Sequence, residues 1–333
     1  MGWFPYHLPF TIIRTDNVAR QISHPISSKV LIIAGMHRSG TSLTANWLAH
    51  CGLHVGDELL KRETDNPTGH YEDLSFLHLH VDILRANGTD FLVADDRRLD
   101  VSPDQQARAR ALVESRADHS QWGWKDPRTA LFLDLWRGLV PQAKVLVVYR
   151  HYAHVADSLL RREGARALRT LNTGVLHHRL AHTRKLAFLR RIPGLLGLVR
   201  RAEPPMRRLQ TRWSYTALNW GRLRVYLRTW ERYNRDILAF AEAHPDDTLV
   251  IHIDDLPHVS ESLISFLNET WGFGLHYTPV GDVFVEGMLK TRRLPVLERL
   301  SAALAPECRR TYNALGTWRE RSLTRLAIPH HNE

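Results

Sequence analysis

Cysteine is almost missing from this chain: Cys51 and Cys308 are the two thiols among 333 residues. Two distant cysteines make neither a disulfide framework nor a zinc-ligand spacing, which fits a reducing compartment. Long apolar runs are absent too. No window reaches the roughly 18 consecutive apolar residues that a membrane-spanning helix needs. Residues 1–13 are apolar and uncharged, but Pro5 and Pro9 interrupt them. They also lack the basic start and small-residue cleavage site of a secretory signal. The expectation is a cytoplasmic protein whose membrane contact, if any, is confined to its surface. Internal repeats and low-complexity tracts are also missing, and 44% apolar content in a chain this long is enough for a large core.

Acidic residues are scarce in one place. Residues 161–212 hold fourteen Lys/Arg and two acids, Glu163 and Glu203, a balance of +12 against a net +10 for the whole chain. The rest carries −2 and reads as an ordinary soluble domain. The expectation is one domain over 1–333, with 161–212 as a basic, mostly helical insertion. At its centre, eight mostly apolar residues lie between arginine pairs (189–201, LRRIPGLLGLVRR). Such a segment suits either a lid or peripheral contact with an anionic membrane at its inner face, helped by the aromatic N-terminus.

A lysine is missing where it would matter most. After the apolar run Val30-Leu31-Ile32-Ile33-Ala34 comes Gly35-Met36-His37-Arg38-Ser39-Gly40-Thr41-Ser42, then a helical pattern. Strand, glycine-bracketed turn and helix form a phosphate-binding loop, in which backbone N–H groups and a helix N-terminus surround an anion. The glycine spacing is that of the nucleoside-triphosphate loop, but Thr41 replaces the lysine that reaches the β- and γ-phosphates. This argues against ATP or GTP hydrolysis. Arg38 offers a different cation.

The remaining pattern is α/β. Residues 30–34, 122–125, 144–149 and 248–253 read as buried strands, and helices are expected over 42–51, 71–86, 103–117, 128–139 and around 220–238. Strands alternating with helices predict a three-layer, P-loop-like parallel sheet flanked by helices. Arg150 ends the strand 144–149, at the edge where open α/β sheets hold ligands. Ser158 follows about two helical turns later. An arginine fork suits phosphate oxygens, so Arg150 and Ser158 are expected to hold a second anion beside the first loop.

Together these segments resemble the sulfotransferase superfamily. GMHRSGTS (35–42) is similar to its 5′-phosphosulfate loop and Arg150 with Ser158 to its 3′-phosphate motif. NPTGHYED (66–73), WGWKDPR (122–128), WERYNRDIL (230–238) and HIDDL (252–256) are similar to bacterial members acting on carbohydrates. The resemblance covers about 29–160 and 220–270. It implies 3′-phosphoadenosine 5′-phosphosulfate (PAPS) as donor, an acceptor hydroxyl on a carbohydrate or glycan-linked molecule, and no required metal or nucleic-acid partner. It also implies that His37, Arg38, Ser39, Gly40, Thr41 and Ser42 bind the 5′-phosphate, Arg38 facing the sulfonate, and that Lys125 supports the bridging oxygen. For the base that takes the acceptor proton, Glu72 is preferred and His70 is second. Asp73 and Asp126 are expected only to orient Lys125 or Arg128.

Other features have plainer readings. His178 and His182, spaced i, i+4, read as a solvated basic helix rather than a metal site. Trp220 and Trp230, with Leu223, Leu227 and Leu238, read as core, and Trp213 adds no stacking platform. Asp254-Asp255 reads as structural. Lys290, Arg292 and Arg293 are either surface charge or contacts to the 3′-phosphate. Two other functions remain open: a P-loop-type kinase, and a non-catalytic membrane- or polyanion-binding protein with a degenerate loop.

Overall fold

The computed structural model describes residues 28–60, 69–163, 220–283 and 295–327. Its centre is a parallel sheet of β1 (Lys29–Ala34), β2 (Gln121–Lys125), β3 (Lys144–Tyr149) and β4 (Thr248–His252), ordered β2-β1-β3-β4. The register aligns Ile33 with Lys125 on one side and with Leu146 on the other. The strands are near-continuous apolar runs because both faces of the sheet are covered.

The two faces separate cleanly by strand alternation. Val30, Ile32, Ala34, Trp122, Trp124, Val145 and Val147 face one core. That core is closed by α2 (Leu74–Ala86), α3 (Pro103–Glu114), α4 (Leu133–Leu139), α5 (residues 152–163) and α6 (Trp220–Ala243). Leu31, Ile33, Leu146, Val148, Leu249 and Ile251 face the other core, under α1 (Thr41–His50) and α7 (Leu256–Glu269). The short α8 (Val280–Val283) follows α7, and α9 (Pro295–Leu304) and α10 (Pro306–Ala327) are the last of the described helices. The three-layer expectation holds.

Local chemistry explains the boundaries. Ser102 and Gln105 form a reciprocal capping box with Pro103 at the first helical position, as the sequence predicts for α3. Helix α2 starts later than expected. Asp73 takes the N-cap by accepting from the Ser75 N–H, so His70, Tyr71 and Glu72 lie in the segment before the helix. Helix 128–139 is a 3₁₀ turn, Pro127–Leu131, followed by α4, because Asp126 caps the turn through the Arg128 N–H. In α6, Leu223, Leu227, Trp230, Asn234 and Leu238 are buried, as the spacing predicts. Among the described residues no helix is long and apolar enough to cross a membrane.

Helix α5 continues through Arg161, Arg162 and Glu163. The remainder of the basic segment (164–212) lies outside the described residues. So do residues 1–27, Asn66–Thr68 of NPTGHYED, His178, His182, Trp213, Lys290, Arg292 and Arg293.

Candidate active site at the carboxyl ends of three strands

The loop after β1 has the shape the glycines predict. Gly35 has φ 152°, and a Cβ there would lie 2.2 Å from the Val148 carbonyl oxygen on β3. Gly40 has φ 98°, and its Cβ would lie 2.4 Å from the Ile253 side chain. Both positions therefore require glycine for space as well as for conformation. Gly40 is the N-cap of α1 and no side chain caps that end. The Leu43 and Thr44 N–H groups donate to the Gly40 carbonyl, which leaves Thr41 and Ser42, at the positive end of the helix dipole, to line the cleft. The Ser39 N–H is used differently, donating to the Met36 carbonyl to close the turn. The Ser39 side chain is fully buried and does not line the cleft.

The cleft is lined by His37, Arg38, Gly40, Thr41, Ser42, His70, Glu72, Lys125, Arg150 and Arg162, among others. Its cations come from the ends of three neighbouring strands, plus one turn of α5. Among the described residues, Glu72 is the only carboxylate that lines the cleft. Arg38 and Tyr71 are the described non-glycine residues with positive φ, 69° and 51°. Left-handed backbone at a non-glycine residue costs about 1–3 kcal/mol and concentrates at functional sites. Here both strained residues belong to segments that wall the cleft.

Lys125 is 1% exposed and its ammonium is fully engaged. Nζ donates to Ser42 Oγ at 2.9 Å, to the His70 carbonyl at 3.0 Å and to Glu72 Oε1 at 2.7 Å. One lysine therefore joins the phosphate loop to the segment carrying both base candidates. The other Glu72 oxygen lies 3.8 Å from Arg128, and Arg128 donates to Asp126 Oδ1 at 2.7 Å. Behind Asp126, His80 Nδ1 meets Oδ2 at 2.8 Å, and Trp136 Nε1 donates to His80 Nε2 at 2.9 Å. Since Nε2 accepts, the proton is on Nδ1, and the imidazole donates to Asp126. Burial alone would raise the Asp126 carboxyl, but Arg128 and His80 overcome it and hold the group ionised well below the usual carboxylate range.

Asp126 orients Arg128 as expected. Asp73 does not orient Lys125. It caps α2 and accepts from Arg116 at 2.8 Å instead. The expected pairing of Ser158 with Arg150 also changes form: Ser158 Oγ accepts from Arg38 Nε at 2.9 Å. The serine thus ties the first loop to α5. Arg150 lines the same cleft, held by Trp230, whose Nε1 donates to the Arg150 carbonyl at 3.1 Å. Its Nε is buried with no hydrogen-bond partner among the described residues. Burial shifts this guanidinium downward, with Asp254 opposing, so an anion at the cleft would relieve it.

His37 is 8% exposed, with its ring edge-on to Phe91 at 4.9 Å. Burial, helped by Arg128, lowers its pKa well below the usual value, which keeps it neutral. Asp255 is structural: both carboxylate oxygens receive Arg319, at 2.6 and 2.5 Å. Arg162 escaped the sequence reading, although it lies one helical turn beyond Ser158, where i, i+4 neighbours share a face.

Fold and site together define an α/β protein with a phosphate-loop-like turn and a cation-lined cleft at its strand ends. No protein family and no curated protein matches the chain. Among solved structures, the sulfotransferase domain of the Synechococcus PCC 7002 olefin synthase is similar over 89% of this chain and 96% of its own, at 17% identity and a TM-score of 0.42. The sulfotransferase domain of the curacin biosynthetic pathway is similar over 87% and 98%, at 16% identity and a TM-score of 0.44. At these values neither likeness carries a functional argument, so the assignment rests on the chain's own residues.

Proposed function

We propose that the protein is a PAPS-dependent O-sulfotransferase. The observation that carries this reading is the convergence of Arg38, Lys125 and Arg150 on one cleft beside an uncapped helix N-terminus, with Glu72 as the one carboxylate lining it among the described residues. A triphosphate loop without its lysine suits a sulfuryl group, which carries less charge than a γ-phosphoryl group and needs less cationic help.

Each residue then has a task. The α1 N-terminus with Thr41 and Ser42 holds the 5′-phosphate. Arg150 binds the 3′-phosphate, and Ser158 holds Arg38 toward the reacting sulfonate. Glu72 accepts the proton of the acceptor hydroxyl as that oxygen bonds to sulfur. Lys125, already on Ser42 and Glu72, supports the negative charge gathering on the phosphate oxygen as its bond to sulfur breaks. Such in-line transfer depends mainly on positioning and electrostatics.

The carbohydrate class of acceptor rests on the resemblance of residues 66–73, 122–128, 230–238 and 252–256 to carbohydrate-acting members. Membrane contact through 161–212 rests on composition alone. Flotation of the full chain with anionic vesicles, with and without 165–212, checks it.

The donor assignment is tested by calorimetric titration of 3′,5′-adenosine bisphosphate, without magnesium, into wild type, Arg38→Ala and Arg150→Ala, with ATP as comparison. Tight binding that each substitution weakens roughly tenfold or more is expected, since a charge-assisted bond contributes about 1.5–3 kcal/mol. Magnesium-dependent preference for ATP would favour the kinase. Retention of polyanions with a steep salt dependence, but no nucleotide binding, would favour the non-catalytic reading.

A further inference from the structure

A second cluster of ligand-bearing side chains lies near the amino end of β2, away from the cleft. His54 follows α1 and is fixed to the sheet edge, its carbonyl accepting the Gly123 N–H at 2.9 Å beside an isolated bridge to Trp122. His119 occupies the turn just before β2. The two imidazoles stack face to face, with ring centres 3.7 Å apart and planes 18° from parallel. Both direct Nε2 at the same oxygen, Asp57 Oδ1, at 2.8 Å from His54 and 3.6 Å from His119.

We propose that His54, Asp57 and His119 bind a divalent first-row cation of the zinc type. The ligand atoms all lie within 4.8 Å of one another, close enough to surround one ion. Bond lengths of about 2.0–2.2 Å to imidazole nitrogen and carboxylate oxygen are needed, so the two stacked rings must turn apart until their Nε2 lone pairs converge on one ion. Two nitrogens and one oxygen form a borderline-hard set that suits zinc, cobalt or nickel and discriminates against calcium and magnesium. The half-exposed side chains, 30%, 47% and 38%, leave room for water in the remaining position.

The surrounding contacts fit a ligand set. Arg116 holds Asp57 Oδ2, leaving Oδ1 to face the imidazoles. The same guanidinium donates to Asp73 Oδ2 at 2.8 Å, and the Asp57 N–H donates to that oxygen at 3.2 Å. Metal-binding carboxylates are commonly oriented by such an outer layer of hydrogen bonds. Asp73 is the cap of α2 and directly follows Glu72. A bound ion would therefore clasp residues 54–57 to the turn before β2 and tighten, through Arg116 and Asp73, the segment that carries Glu72. The role is structural, and it stands independently of the sulfotransferase reading.

The test uses the full chain, freed of metal with a chelator, titrated with Zn²⁺ by calorimetry and followed by thermal unfolding. The chain has twenty histidines, so background uptake is judged against His54→Gln/His119→Gln and Asp57→Asn. One site is expected in wild type, with a chelator-reversible rise in Tm and a roughly tenfold or greater loss of affinity in each variant. Equal Zn²⁺ affinity and equal Tm shift in wild type and the double variant would overturn the proposal and leave a hydrogen-bonded cluster. Co²⁺ absorption, compared between wild type and the double variant, is the second readout. Intense low-symmetry absorption bands support the site, and weak octahedral bands oppose it.

Discussion

Lys125 is the residue on which most of the site depends. Its ammonium is buried, so each contact is worth more than it would be in water, and losing the ion-pair partner leaves an uncompensated charge. Glu72→Gln keeps the shape of that contact while removing the carboxylate. It is expected to lower kcat by roughly 10²–10⁴ while adenosine bisphosphate affinity stays near wild type. Unchanged turnover would remove Glu72 as the base and turn attention to His70, whose carbonyl already meets Lys125. At this scale the sequence was legible wherever a short motif sets the geometry, as with Arg38, Lys125 and Arg150. Rotamer choice was not legible: nothing in the spacing shows that Ser158 would meet Arg38 across 120 residues. Nor does it show that His80 and Trp136, 56 residues apart, would back Asp126. Such contacts depend on which helix faces pack, and no local pattern records that.

At the scale of elements, the glycines of the β1–α1 turn decide whether the loop can form. Gly35→Ala drives a methyl into the β3 backbone, which cannot yield as a flexible side chain would. A stability loss of roughly 2–4 kcal/mol is expected in urea denaturation, with loss of adenosine bisphosphate binding. Gly316 in α10 is the matched contrast. A Cβ there meets nothing within 4 Å, and Gly316→Ala should add about 0.5–1 kcal/mol. Strand positions and the capping box of α3 were readable because alternation and caps are local. The start of α2 was misjudged because Leu74 and Leu77 continue an apolar spacing upstream, whereas Asp73 ends the helix there by caging its first turn.

For the molecule as a whole, burial keeps several histidines neutral. Burial lowers His151 to about 4, and it also lowers His37 and His252. A histidine with a depressed folded pKa takes up protons more readily when unfolded. Stability is therefore full above the unfolded value near 6.5 and is lost as pH falls toward the folded one. The urea midpoint should drop between about pH 6.5 and 4, and the drop should shrink in His151→Gln. A flat profile across that window would show that these rings are hydrated in solution. Fold class was legible at this scale because buried apolar strands alternate with helical stretches, the pattern of a parallel sheet covered on both faces.

The sheet order also acts as a ruler. Lys125 closes β2 and Arg150 follows β3, with β1 and its loop between them. Two strand spacings, about 9–10 Å, are thus built into the backbone and do not depend on side-chain flexibility. On the proposed sulfotransferase reading, a ligand whose two anionic groups stand on opposite sides of a ribose would span this gauge, and one whose phosphates all run out in one chain would not. Selection between a 3′,5′-bisphosphate and a 5′-triphosphate would then be made by hydrogen-bonded strands before any side chain moves.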